Sequence, residues 1–317
     1  MSFLTPVALL FGLLAAIPLA VFVGRRRRSE RIRSTLGLGP SPARSWIVLA
    51  ASLAAVPALV AVAAAQPVVT SARTVPQRSD AEVFVVVDTS RSMLASSGAG
   101  EPTRFDRALD GVLALQEELP GVPVGLASFT DRVLPHLFPT VDRRVFTETT
   151  REALGIEKPP PSTSFGTNVT TLDALGAIPT LAYFTPSAKR RAVVVFTDGE
   201  SQPVSTLASD FAKRPRIDVT FVRVGDASEQ IFESGVAEAG YSADPAAPET
   251  LAAAAEAVEG RVLSEEQVDD AAGAVRAALG TGPTVPRRIE GSRRALMPYV
   301  ALLAIFPLGF VLYRRNL

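Results

Sequence analysis

Residues 83–93 read Val-Phe-Val-Val-Val-Asp-Thr-Ser-Arg-Ser-Met, five apolar residues followed by a turn rich in side-chain oxygens. A continuous apolar run of this length is typical of a strand buried on both faces, as in a parallel sheet. The turn carries one carboxylate, Asp88, and two hydroxyls, Ser90 and Ser92, on alternate residues. The segment therefore predicts a buried strand that ends at a cluster of oxygen ligands.

Similar apolar runs recur along the chain, at residues 122–129, 192–196 and 217–224. Apolar residues also fall at helical spacing, over residues 104–119, 170–181 and 268–279. Strands that alternate with amphipathic helices predict an α/β fold, with a doubly wound, mainly parallel sheet flanked by helices. Ligands of such folds bind beyond the carboxyl ends of the strands.

Two later segments place more oxygen ligands at this predicted edge. Thr197-Asp198-Gly199-Glu200 follows the apolar run 192–196, so Asp198 occupies a position on the sheet equivalent to that of Asp88. Ser164-Phe165-Gly166-Thr167-Asn168 lies before it, and we expect this segment to open a helix and offer the Thr167 hydroxyl.

The donor set indicates a hard divalent cation. Few carboxylates and several hydroxyls suit Mg²⁺, which we expect here, or else Mn²⁺ or Ca²⁺. The chain has no Cys and a single histidine, His136, so a zinc site is not expected. The alternative is that these residues only form turns, which we accept for Gly166 and Gly199. Asp88 and Asp198, however, would repel each other unless a cation lay between them.

The five candidate ligands, Asp88, Ser90, Ser92, Thr167 and Asp198, resemble the metal-ion-dependent adhesion site (MIDAS) of von Willebrand factor A (VWA) domains. That pattern is Asp-x-Ser-x-Ser, then a Thr in a later loop, then Asp-Gly. The resemblance implies the VWA fold and a cation bound by the hydroxyls directly or through water, with the aspartates acting largely through waters. It also implies that an acidic group of a ligand completes the coordination shell.

Three segments without any charged residue, 2–24, 46–65 and 295–313, are each about long enough to cross the ~30 Å hydrocarbon layer as a helix. The first lacks a basic n-region and a small-residue cleavage site, so we interpret it as a span and not as a cleaved signal peptide. We divide the chain into transmembrane helices at 1–24, 46–65 and 295–313, an Arg-rich cytoplasmic loop at 25–45, a tether at 66–80, a VWA domain at 81–280, a linker at 281–294 and a cytoplasmic tail at 314–317.

Charge is segregated along the chain, although its formal total is zero. Residues 81–280 contain 29 Asp and Glu but 17 Lys and Arg, a net charge of −12. An acidic domain of this kind argues against binding to nucleic acid. The seven arginines of residues 25–45 predict that this loop is cytoplasmic and that the VWA domain lies outside the cell membrane. The four arginines at 287, 288, 293 and 294, against two at 314 and 315, oppose this orientation locally.

The order of two spans, an Arg-rich loop, a VWA domain and a final span resembles the Bat-type (aerotolerance) membrane VWA proteins of bacteria. Residues 102–108, Pro-Thr-Arg-Phe-Asp-Arg-Ala, and 125–129, Gly-Leu-Ala-Ser-Phe, add local matches. The resemblance implies a non-enzymatic binding role in the bilayer and an association with cytoplasmic MoxR-type AAA+ ATPases. With the domain outside, that link is indirect, and we expect the metal to bind an acidic residue of another envelope or membrane protein.

Two other functions remain as alternatives. A metal-dependent hydrolase or phosphotransferase is disfavoured, because a haloacid-dehalogenase-type site resembles Asp-x-Asp while this chain has Ser90 at the second position. A Ser/His/Asp hydrolase would need His136, and no Gly-x-Ser-x-Gly is present. We expect His136 to be a strand residue with a satisfied hydrogen bond. A structural membrane scaffold with a vestigial metal site is the second alternative.

Overall fold

The structure is a computed structural model that describes residues 2–37, 43–158, 170–212 and 215–315, with the backbone alone at 43–46, 290, 292 and 315. The chain divides into two compact units. One comprises residues 74–287, and the other combines residues 1–73 with residues 288–317.

A six-stranded sheet forms the centre of the unit at 74–287. Its strands are β1 (Ala81–Asp88), β2 (Val124–Phe129), β3 (Val133–Thr140), β4 (Arg190–Thr197), β5 (Ile217–Arg223) and β6 (Arg261–Ser264). They lie in the order β6-β5-β4-β1-β2-β3. All neighbours are parallel except the β2–β3 pair at one edge, which is antiparallel. The predicted mainly parallel sheet is confirmed.

Strand β1 is buried on both faces, as its apolar run predicts. Val83, Val85 and Val87 point into one hydrophobic core, while Phe84 and Val86 point into a second core on the opposite side of the sheet. Alternation between two cores is possible because successive side chains of a strand point to opposite faces. The sheet is therefore covered on both sides, which is the doubly wound arrangement.

The helices of this unit are α1 (Arg104–Glu117), α2 (Arg143–Ala153), α3 (Ala177–Thr180), α4 (Leu207–Phe211), α5 (Ala247–Ala257) and α6 (Val268–Leu279). Helix α6 has the bounds that the sequence predicts. The predicted helix at 170–181 is instead a 3₁₀ segment, Leu172–Gly176, followed by the short α3. Gly176 and Pro179 disfavour a regular helix there, because glycine is flexible and proline lacks an N–H group.

Strand β3 contains His136, the expected strand residue, although no apolar run marks the bounds of this strand. It contains Pro135 and Pro139, which cannot donate backbone hydrogen bonds and which normally argue against a strand. Its position at the edge of the sheet makes both prolines tolerable. Helices α2, α4 and α5 and strand β6 were likewise not predicted from the sequence.

A small three-stranded sheet lies next to the Asp88 turn. Ala95–Ser96 pairs with Gln230–Glu233, which pairs in turn with Val236–Ala237. Ser234 and Gly235 between the last two strands have φ of 51° and 84°. Two central residues with positive φ are typical of the tight turns that join hairpin strands. The hairpin at 230–237 is therefore attached to the segment that follows the candidate ligands.

In the unit formed by residues 1–73 and 288–317, the described residues contain three helices long and apolar enough to cross a membrane, Pro6–Thr35, Ile47–Ala64 and Met297–Arg314. The first begins as a 3₁₀ helix, Pro6–Ala15, and continues as an α-helix, Ala16–Thr35. The part of the predicted Arg-rich loop from 25 to 35 is therefore helical. An ion pair of Arg26 with Glu30, one turn apart, stabilises this extension. Residues 38–42 of the loop lie outside the described residues.

The predicted tether and linker are mostly strands. Pro67–Arg78 and Thr284–Ala295 form a sheet together with Ser2–Phe3. The N–H of Leu296 donates to the Pro67 carbonyl at 2.8 Å, and the N–H of Ser79 donates to the Pro283 carbonyl at 3.1 Å. These two bonds, at opposite ends of the pair, make the strands antiparallel. No strand was predicted for these two segments because each strand finds its partner about two hundred residues away, which no local pattern reveals.

Candidate metal centre

The two candidate aspartates meet at the carboxyl edge of the sheet. Asp88 is the last residue of β1, and Asp198 directly follows β4. The two strands are adjacent and parallel, with Val87 opposite Phe196. The shared register brings both carboxylates to the same end of the sheet, as the sequence predicts.

Asp88 is completely buried and both of its oxygens accept hydrogen bonds. Oδ1 accepts from the Ser90 N–H at 2.9 Å, and Oδ2 accepts from the Thr197 hydroxyl at 2.6 Å. Thr197 Oγ1 accepts in turn from the Gly199 N–H at 3.1 Å. Burial, followed by the negative charge of Asp198, raises the pKa of Asp88 to about 7, against the opposing effect of these hydrogen bonds. Negative charge at this edge is therefore under-compensated by the protein alone.

The serine hydroxyls lie together next to Asp88. Ser90 Oγ and Ser92 Oγ are 2.9 Å apart. Ser90 directly precedes a 3₁₀ turn, Arg91–Leu94, and Ser92 lies within that turn. Two hydroxyl oxygens thus lie within reach of a single ion.

Asp198 is buried, and each of its two carboxylate oxygens accepts a hydrogen bond. Its Oδ1 accepts from the Glu200 N–H at 2.9 Å, and its Oδ2 accepts from Nη1 of Arg104 at 3.0 Å. Gly199 between them has a φ of +84°, and a Cβ there would lie 2.9 Å from the Ala247 carbonyl oxygen. Glycine is required at this position for its backbone geometry, as predicted.

The structure brings together Asp88, Ser90, Ser92 and Asp198. Thr167 and Gly166 lie outside the described residues. Among the described residues, no group of three or more His, Cys, Asp or Glu side chains is arranged to hold a metal. A metal at this edge would therefore rely on two carboxylates and on hydroxyls, and this donor chemistry fits a hard divalent cation that retains waters.

Arg104, which was not among the candidate site residues predicted from the sequence, contacts Asp198. Its side chain is 2% exposed and donates five hydrogen bonds. Nε donates to Glu229 Oε2 (2.6 Å), Nη1 to Asp198 Oδ2 (3.0 Å), Glu200 Oε1 (2.8 Å) and Tyr241 Oη (3.1 Å), and Nη2 to the Asp226 carbonyl (2.7 Å). One signal was available, because Arg104 begins a helix and a cation at a helix N-terminus is electrostatically unfavourable unless acids surround it.

His136 lies on β3, away from the aspartates. Its Nε2 is 2.8 Å from the buried Ser128 hydroxyl on β2. Burial, followed by the charge of Lys158, holds the pKa of His136 below its usual value. The expectation of a hydrogen-bonded strand histidine is confirmed.

Residues 83–200 match the family model described as the von Willebrand factor type A domain. A search of curated proteins finds no match. Among solved structures, the conserved hypothetical protein BatB from Bacteroides thetaiotaomicron is similar, with 20% identity, a TM-score of 0.51, and coverage of 62% of this chain and 98% of that one. An aerotolerance-related membrane protein from Bacteroides fragilis has 21% identity over 63% of this chain and 98% of that one, with a TM-score of 0.48.

A third similar structure is proximal thread matrix protein 1 from the mussel byssus, described with a zinc-occupied MIDAS motif. It has 14% identity over 76% of this chain and 55% of that one, with a TM-score of 0.44. The family match covers both Asp88 and Asp198, and it begins in β1 and ends just after β4. Residues 83–200 therefore match the von Willebrand factor type A domain, and they contain both aspartates at the carboxyl edge of the sheet.

Proposed function

We propose that this protein is a membrane-anchored, non-enzymatic binding module. Its VWA domain holds a divalent cation, Mg²⁺ in our proposal, through Asp88, Ser90, Ser92, Thr167 and Asp198. The cation supplies an electrophilic position that accepts a carboxylate oxygen from a partner protein.

The observation that carries this proposal is the pair of buried carboxylates at one sheet edge with two hydroxyls beside them. The raised pKa of Asp88 means that the metal-free edge disfavours its second negative charge. A divalent cation would remove that cost. Because both Asp88 oxygens already accept hydrogen bonds, this carboxylate suits water-mediated contact with the ion better than direct chelation.

The same contacts favour binding over catalysis. A nucleophilic aspartate needs a free oxygen facing its substrate, whereas Asp88 is buried and has both oxygens engaged. The Ser128–His136 pair is a poor hydrolase site because Ser128 is itself buried within the sheet.

Three candidate spans support anchoring in the cell membrane, with the arginines of residues 25–45 on the cytoplasmic side and the VWA domain outside. The partner is then an envelope or membrane protein with an exposed acidic residue. We place the chain with the Bat-type proteins on its span arrangement and local motifs. A MoxR-type ATPase in the cytoplasm would be linked to the metal face only indirectly.

Metal binding is tested with the full-length protein in detergent, by Mn²⁺ titration followed by electron paramagnetic resonance. Asp88→Asn is expected to abolish binding. Glu82→Gln is a matched control, because Glu82 is a buried acid at the opposite end of β1 that bonds the Thr185 N–H and hydroxyl. Equal Mn²⁺ affinity in the two variants, or no binding by the wild type, would contradict the proposal.

Partner binding is tested by crosslinking in intact membranes with and without a chelator. We expect that crosslinks to a specific envelope protein disappear on chelation and return with Mg²⁺. The same crosslinks should be missing in Asp88→Asn. Crosslinks that persist unchanged in chelator and in this variant would refute a metal-mediated contact.

A further inference from the structure

Arg104 contacts three separate parts of the chain through one buried guanidinium. Its partners come from the segment after β4, from residues 226–229 and from Tyr241 beyond the hairpin. Tyr241 also donates its hydroxyl to Glu200 Oε1 at 2.8 Å. All three guanidinium nitrogens are used, so its orientation is closely determined.

The position of this arginine is costly in two respects. It lies at the first residue of helix α1, where the helix dipole disfavours a cation. Burial of the charge adds a desolvation cost that only close carboxylates can offset. A residue that merely stabilised the start of the helix would be acidic or neutral. The buried charge of Arg104 therefore acts on the acids that it contacts and not on the helix.

One of those acids is a candidate metal ligand. Arg104 occupies Oδ2 of Asp198, while the Glu200 N–H occupies Oδ1. The guanidinium thus offsets the charge of Asp198 and directs its oxygens at the same time. A cation bound at this edge would experience one carboxylate whose charge is partly compensated, since Arg104 shares its charge among Asp198, Glu200 and Glu229.

We infer that Arg104 is a positioning and specificity-determining residue that sets the charge balance of the metal site. This inference rests on the proposed function. By offsetting part of the charge of Asp198, Arg104 weakens the hold of the protein on the cation and leaves the cation enough positive charge to attract a ligand carboxylate. The surrounding acids alone would bind metal more tightly and reject an acidic ligand.

Arg107 provides a matched control on the same helix. It also contacts Glu229, at 2.6 Å, but its other side-chain bonds go to Glu265 (2.8 Å) and the Pro102 carbonyl (3.0 Å). Its substitution removes an arginine from the same acidic surroundings without removing the bond to Asp198.

The test measures Mn²⁺ binding by the full-length protein in detergent. Arg104→Met is expected to bind Mn²⁺ roughly tenfold more tightly, the order of effect of one unit charge on a nearby divalent ion in a water-like dielectric. Arg107→Met should stay within about twofold of the wild type, since its charge is farther from the candidate ligands. Arg104→Lys, which keeps the charge without the five bonds, should return the affinity close to that of the wild type.

Ligand acceptance is measured with acetate as the carboxylate probe, through the loss of water-proton relaxation by bound Mn²⁺. Acetate should displace water from the wild type at lower concentration than from Arg104→Met. A purely structural role predicts the opposite sign for the metal, with weaker Mn²⁺ binding in Arg104→Met. Equal or weaker binding by the folded variant would overturn the inference.

If Arg104→Met does not fold, Glu200→Gln provides the test of the role of Arg104. The amide oxygen can still accept from Arg104 and Tyr241. The guanidinium no longer offsets a charge at residue 200 and therefore offsets more of the charge of Asp198. Mn²⁺ binding should then weaken, and unchanged or tighter binding would overturn the inference. Failure of the wild type to bind Mn²⁺ would instead contradict the proposed function, so the two failures are distinguishable.

Discussion

Replacement of Asp88 by Asn is expected to stabilise the metal-free protein while it abolishes metal binding. The pKa of Asp88 rises from 3.8 to about 7, chiefly through burial and then through the charge of Asp198. The folded state therefore holds a proton that the unfolded state releases between these values, so wild-type stability falls as pH rises through this window. At about 1.4 kcal/mol for each pKa unit, the penalty reaches roughly 4 kcal/mol at pH 8.

Asparagine removes the penalty without a change of shape. Its oxygen can accept from the Ser90 N–H, and its amide can donate to the Thr197 hydroxyl oxygen. In a chelator at pH 8, calorimetry of the detergent-solubilised protein should show the variant melting roughly 10 °C above the wild type. Near pH 3, below both of these pKa values, Asp88 is mostly protonated in both states and the gap should close. Mg²⁺ should raise the melting temperature of the wild type alone.

The measured quantity is the difference in melting temperature between the variant and the wild type, because this difference cancels the effect of pH on the other carboxylates. Glu82→Gln serves as the control, since it replaces an acid that the Thr185 N–H and hydroxyl already satisfy. It should destabilise the protein at pH 8. The reasoning would be refuted if Asp88→Asn were less stable than the wild type at pH 8 in chelator.

Three further outcomes follow from other contacts. Burial raises the pKa of Asp173, but hydrogen bonds from the Ser205 hydroxyl and from the N–H groups of residues 205–207 lower it by more. The pKa of Asp173 therefore lies below its usual value. Asp173→Asn should cost about 1 kcal/mol at pH 7 in calorimetry, and the difference should vanish as pH falls below the Asp173 pKa. Gly199→Ala should cost roughly 2 kcal/mol, through its positive φ and the Ala247 carbonyl, and should weaken Mn²⁺ binding by displacing Asp198. His136→Gln should leave Mn²⁺ affinity unchanged, and a loss of affinity would place His136 in the metal site.

Local pattern was enough to predict the parts of this protein that depend on neighbouring residues in the chain. The apolar run before Asp88 predicts β1 because burial on two faces leaves no polar alternation. The order of strands and helices predicts the layers of the sheet, and uncharged segments of membrane-spanning length predict the spans. The convergence of Asp88 and Asp198 was also predictable, since parallel strands end at one edge.

Features that depend on partners distant in the sequence are visible only in the tertiary structure. Strands 67–78 and 284–295 lacked a local signal because each is stabilised by the other across the whole domain. Arg104 lies 94 residues from Asp198 and 137 from Tyr241, and its charge is tolerable only where those acids and hydroxyls converge. The identity of the candidate ligands could thus be predicted from the spacing of nearby residues, whereas the charges that surround the ligands are set by tertiary contacts. Electrostatic interactions follow distance in space and are indifferent to separation along the sequence.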